Sequence, residues 1–94
     1  MGGDAGIVRR RVEVRGRVQG VFFRETARRW AQQRRIAGWV RNRADGSVEA
    51  VFEGQPDAVA SMVESCRLGP PDAHVERIDV HEEAPEGLSG FAVR

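Results

Sequence analysis

Three patterns in the sequence predict an α+β fold, with two helices covering one face of an antiparallel sheet. Three short stretches alternate apolar and polar residues, as half-buried strands do, and a fourth, residues 37–43, reads as a strand. Two longer stretches repeat apolar residues at helical spacing. Turn residues separate these stretches in the order β-α-β-β-α-β, with a scrap of strand at the end. That order is the ferredoxin-like, split βαβ arrangement.

The elements follow in turn. Over residues 7–15, Val8, Val12 and Val14 share one phase and Arg9, Arg11 and Glu13 the other, which predicts a strand. A loop follows, bracketed by Gly16 and Gly20. From Val21 or Phe22 to about Arg35, Phe23, Ala27, Trp30, Ala31 and Arg34 fall on one helical face. Residues 37–43 read as a second strand, and Asp45-Gly46 is a hairpin turn signal. Residues 47–53 form a third strand, with Val48, Ala50 and Phe52 in one phase. Pro56 suits the first turn of a second helix, whose apolar face carries Val59, Met62, Val63 and Cys66. Gly69-Pro70-Pro71 stops it. Residues 75–83 are a fourth strand, with Ile78 and Val80 expected inward, and residues 91–93 a short edge strand.

Composition narrows the class. A chain of 94 residues, 40% hydrophobic and 31% charged, fits one globular domain. No apolar run approaches the roughly 20 residues needed to span a bilayer. Residues 1–6 carry no export signal and read as a flexible leader ahead of a domain over 7–94, so the cytoplasm is the expected compartment. The single Cys66 excludes an intrachain disulfide, and its place on an apolar helix face predicts a core residue. His74 and His81 lack metal-ligand spacing, and no Ser–His or Cys–His pair suggests a nucleophile. Trp30 and Trp39 are expected in the core.

Net charge is +1, but residues 9–35 carry ten Arg against Glu13 and Glu25, while residues 36–94 carry five Arg against eleven acids. Every basic residue is Arg. Coding bias accounts for this, or else a basic surface attracts polyanions. A nucleic-acid module on this fold would want exposed strand aromatics; the chain has no Tyr, and its first strand no aromatic, which disfavours nucleic acid.

The segment Gly16-Arg17-Val18-Gln19-Gly20-Val21-Phe22-Phe23-Arg24 joins a strand to a helix. Free backbone N–H groups, a helix N-terminus and a guanidinium meet there, and all three favour an anion, phosphate most of all. Arg24 is either an ordinary surface arginine or an anion ligand whose bound charge offsets its conflict with the helix dipole. The Gly16 and Gly20 pair serves turn geometry or close approach to a phosphate. The segment lacks the Lys and Ser/Thr of a nucleoside-triphosphate loop. Asn42, near the end of the second strand, is a turn residue or an amide able to hold a water beside a phosphoryl group.

Residues 16–24, with Gly38-Trp39-Val40-Arg41-Asn42-Arg43-Ala44-Asp45-Gly46-Ser47-Val48-Glu49, resemble the two signature blocks of the acylphosphatases, in register and without a gap. Gly54, Gly69-Pro70-Pro71 and residues 91–94 fit as well, so the resemblance covers about residues 8–94. It implies hydrolysis of the carboxyl–phosphate bond of small acyl phosphates to a carboxylate and orthophosphate, without metal or cofactor. Carried over, backbone N–H groups of Arg17, Val18, Gln19, Gly20, Val21 and Phe22 cradle the phosphate, with Gly16 setting the loop geometry. Arg24 forks its oxygens, and Asn42 positions the attacking water. A free-standing monomer, with no membrane partner, is the expectation; an anion-binding domain that has lost catalysis fits less well with both Arg24 and Asn42 in place. Two departures stand out. Arg34-Arg35 replaces the Leu-Gly that often ends the family's first helix, which strains Arg35 if the backbone is kept and sends the Arg34 head toward water. Ala27 stands where the family often has Thr, with Thr26 one position earlier.

Overall fold

The computed structural model describes residues 6–94. The leader expected over residues 1–6 lies outside them apart from Gly6. The chain runs β1 (Val8–Arg17), α1 (Phe23–Gln33), β2 (Ala37–Asn42), β3 (Val48–Gly54), α2 (Pro56–Leu68), β4 (His74–Glu83) and β5 (Phe91–Val93). The sheet order is β4-β1-β3-β2-β5. Four strands pair antiparallel as expected, and β5 adds to the β2 edge in parallel. α1 lies over β2 and β5, and α2 over β1, β3 and β4.

One face of the sheet meets the helices. Val12 and Val14 of β1, Val40 of β2, and Val48, Ala50 and Phe52 of β3 pack there against Phe23, Ala27, Ala31, Val59, Met62 and Cys66. Burial pushes the Cys66 thiol up to about 12, which leaves it a core residue rather than a nucleophile.

The opposite face carries no helix, yet β3 is buried along its whole length. Alternation alone would leave Glu49, Val51 and Glu53 half open. Arginines of β1 cross over them instead. Arg9 pairs with Glu53 at 2.8 Å and Glu83 at 2.9 Å, and Arg11 with Glu13 at 2.8 Å and Glu83 at 2.9 Å. Arg41 pairs with Glu49, and Arg43 with Glu13 at 3.1 Å. The basic first third and the acidic remainder of the sequence are thus interleaved across the sheet, and these arginines present no bare positive patch. Glu53 also accepts main-chain N–H bonds from Glu86, Gly87 and Leu88 at 2.8, 3.1 and 3.0 Å. Burial opposes its charge, but those donors and the Arg9 guanidinium hold its carboxyl below the usual range. Glu53 thereby straps the β4–β5 connection to the sheet and sets up the return to β5.

Four expectations change. β1 continues through Gly16 to Arg17, with a register shift at Arg15/Gly16 against β4, so Gly16 sits at a bulge in the strand rather than in the loop. Val80 faces the helix side, bordering a groove with Val8 and with Pro56, Val59 and Val63 of α2, but on the edge strand β4 it stays 41% exposed. Trp39 lies outside the core, with the Arg94 and Arg41 guanidiniums 4.5 and 5.6 Å from its ring centroid. Trp30 packs against the core as expected. At the end of α1, Arg35 takes φ +54, the strained left-handed conformation. Arg34 does not simply reach water: it donates to Ser61 Oγ at 3.0 Å, Ser65 Oγ at 3.1 Å and the Trp30 carbonyl at 3.1 Å, tying α1 to α2.

Candidate active site

Strand direction decides where the chemistry-bearing residues meet. β1 and β2 are each antiparallel to β3, which lies between them, so they run the same way. The segment leaving β1 and Asn42 at the end of β2 therefore emerge at one end of the sheet. Val48 marks that end, paired with Val14 on one side and Asn42 on the other. β5, parallel to β2, brings Val93 and Arg94 to the same end.

The loop is held by its own glutamine. Gln19 Nε2 donates to the carbonyls of Arg43 at 2.7 Å and Ser47 at 2.9 Å, which fastens the loop to the β2–β3 hairpin beside Asn42. Asp45 shapes that hairpin by accepting from the Ser47 N–H at 2.9 Å and hydroxyl at 2.6 Å, and Arg15 reaches it at 3.2 Å. The Ser47 donors first, then Arg15, hold the Asp45 carboxyl far below the usual carboxylate range.

Gly20 has φ +75 and Phe22 φ +61, so left-handed residues recur along the loop. Such turns aim successive N–H groups into a concavity suited to an anion. Phe22 is also the N-cap of α1 and makes no side-chain cap, so no side chain competes there for the first-turn N–H groups.

A cavity of about 460 Å³ opens here, lined by Val18, Gly20, Phe22, Phe23, Arg24, Glu25, Asn42 and Val93. Arg24 and Asn42 thus both line this cavity, with Val18, Gly20 and Phe22 of the loop. The other loop residues have different surroundings. Arg17 is exposed at the strand end, Val21 is buried in the core, and Gln19 faces the hairpin. Arg24 Nη1 donates to the Arg94 main-chain oxygen at 3.1 Å, so β5 helps to aim the guanidinium. Glu25, the acid at the rim, is paired with Arg28, whose guanidinium keeps its carboxyl ionised. The place of Val93 in the cavity lining, the Arg94 contact to Arg24 and the anchoring by Gln19 are features that local patterns do not reveal.

The two glycines differ in kind. A Cβ on Gly16, at φ +127, would sit 2.2 Å from the His74 carbonyl oxygen and 2.8 Å from the Glu76 nitrogen, whereas one on Gly20 would meet nothing within 4 Å. Gly16→Ala is expected to cost about 3 kcal/mol or more, and Gly20→Ala only about 1 kcal/mol. Urea unfolding of both variants checks the order; an equal loss would mean that the β1–β4 contact at the bulge yields.

The acylphosphatase family profile matches residues 10–93 of the chain. The chain belongs to the acylphosphatase family. It is 56% identical over 86 residues to an acylphosphatase of Gloeobacter violaceus, covering 92% of each chain. Its structure matches an acylphosphatase from Bacillus subtilis with a TM-score of 0.90 at 42% identity, over 93% of this chain and 98% of that one. An acylphosphatase from Coxiella burnetii matches with a TM-score of 0.92 at 38% identity, over 97% and 96% of the two chains. As an acylphosphatase, the protein is a hydrolase that acts on acid anhydrides and cleaves small acyl phosphates, releasing phosphate. Among the described residues, no helix is long and apolar enough to cross a membrane.

Proposed function

We propose that acyl phosphate hydrolysis takes place in the cavity at the end of β1 and β2, with Arg24 and Asn42 as its catalytic residues. The observation that carries this reading is that both line one cavity, together with Gly20 and Phe22 of a loop in which left-handed residues recur. The backbone N–H groups of residues 17–22 hold the phosphoryl oxygens, with Gly20 letting the backbone approach closely. The Arg24 guanidinium forks two of those oxygens and gains charge-assisted strength as negative charge builds in the transition state. Asn42 accepts a hydrogen bond from water and sets it in line with the carboxyl–phosphate bond.

Water oxygen then bonds to phosphorus, the bond to the acyl oxygen breaks, and its electron pair leaves as carboxylate. A phosphoryl oxygen takes the water's proton. A carboxylate departs without being protonated, so the site needs no strong general acid, and positioning with electrostatics carries the rate. No metal or cofactor is called for. On the same proposal the protein acts alone on small molecules, as a monomer in the cytoplasm; the internally paired sheet face supports the absence of nucleic-acid or membrane partners.

The test is phosphate release from acetyl and benzoyl phosphate in the presence of a chelator, with p-nitrophenyl phosphate as the phosphomonoester control. Turnover of the acyl phosphates alone, inhibited competitively by orthophosphate, is expected. Loss of activity on chelation, or comparable turnover of the monoester, would overturn the reading.

A further inference from the structure

Phe22 is out of place by three separate criteria. It holds an N-cap position that favours Ser, Thr, Asp or Asn. It adopts a left-handed φ of +61 that favours Gly or Asn. Its side chain is 78% exposed, in a position where water favours a polar group. Of the exposed large hydrophobics, Phe22 and Val93 line the active-site cavity, while Ile7, Leu68 and Val80 lie elsewhere. The other apolar members of the cavity wall, Val18 and Phe23, are 1% and 2% exposed and so already spent on the core.

We propose that the Phe22 ring, with Val93 of the same cavity lining, is the contact surface for the acyl end of the substrate, and that it selects aryl and bulky apolar acyl phosphates over acetyl phosphate. This rests on the assignment of the phosphoryl group to the loop and Arg24. The phosphate end is then fixed by groups that do not distinguish one acyl phosphate from another. Discrimination falls to what lies next along the substrate, and an exposed aromatic ring on the rim of the same cavity is suited to it. An aromatic pair formed there removes apolar surface of both partners from water and adds ring-on-ring attraction. The ring is attached to the loop that holds the phosphate, so its distance from the phosphoryl group is set by the backbone.

The experiment compares kcat/KM for benzoyl and acetyl phosphate in the wild type, Phe22→Ala and Phe22→Asn. The asparagine variant relieves the left-handed backbone while removing the ring, which separates side chain from loop strain. The benzoyl-to-acetyl ratio is expected to fall about three- to tenfold in both variants, carried mainly by KM for benzoyl phosphate. A loss shared equally by the two substrates, leaving the ratio unmoved, would overturn the proposal. So would a wild type that self-associates in sedimentation while the variants do not, since the ring would then serve a contact between copies. A wild type not inhibited by orthophosphate would instead strike the phosphate assignment beneath it.

Discussion

Arg24→Ala is expected to lower kcat/KM for acyl phosphates by about 1,000-fold or more, roughly 4 kcal/mol of transition-state stabilisation. Orthophosphate inhibition should weaken in the same variant, because the guanidinium binds both the transition state and the product. Arg24→Lys keeps a charge but loses the planar fork, and should recover only a small part of the activity. The fold does not depend on this side chain: Arg24 is half-buried and, among the described residues, bonds only to the main-chain oxygen of Arg94. Circular dichroism and unfolding of the variant should therefore match the wild type. Near-normal turnover in a folded Arg24→Ala protein would remove Arg24 from the site.

Asn42→Ala should separate binding from turnover. The amide is proposed to hold the water, which reacts, and not the phosphoryl group, which is already held by the loop. The expected result is a fall in kcat of about 100- to 1,000-fold, with KM and the orthophosphate inhibition constant changed by less than about threefold. Steady-state kinetics on benzoyl phosphate, with product inhibition, decides it. Weakened phosphate binding with turnover preserved would reassign Asn42 to the phosphate.

The strands were legible because each buries one face, so the apolar residues of β1 and β3 alternate visibly. The same rule fails where a second layer covers the outer face. Glu49 and Glu53 read as solvent-facing residues, yet they are buried by arginines from a neighbouring strand and by a loop more than thirty residues away. Trp39 misleads for a related reason: its size suggests core, but its strand phase points to the outer face, where arginines cover it. At the site, Gly16, Gly20, Arg24 and Asn42 stood out as residue types that backbone geometry or anion chemistry can use, but each kept a plain structural reading until the resemblance to the acylphosphatases joined them. Gln19 gave no comparable signal, since its work is a contact with Arg43 and Ser47 carbonyls on another hairpin. Val93 and the Arg94 oxygen enter only through the parallel pairing of β5.

The uncovered face of the sheet has a bearing on how copies of the protein behave at high concentration. A broad β-surface without helices is the kind of surface on which a second sheet can stack, about 10 Å away, once the water between them is expelled. Here such a neighbour would have to dehydrate guanidinium and carboxylate groups that already hold one another, such as Arg11 with Glu83 and Arg43 with Glu13. It would bring them no better partners, so the dehydration goes uncompensated. Stacking of this face on a second copy is thus disfavoured, and one side of the fold is left bare without being adhesive.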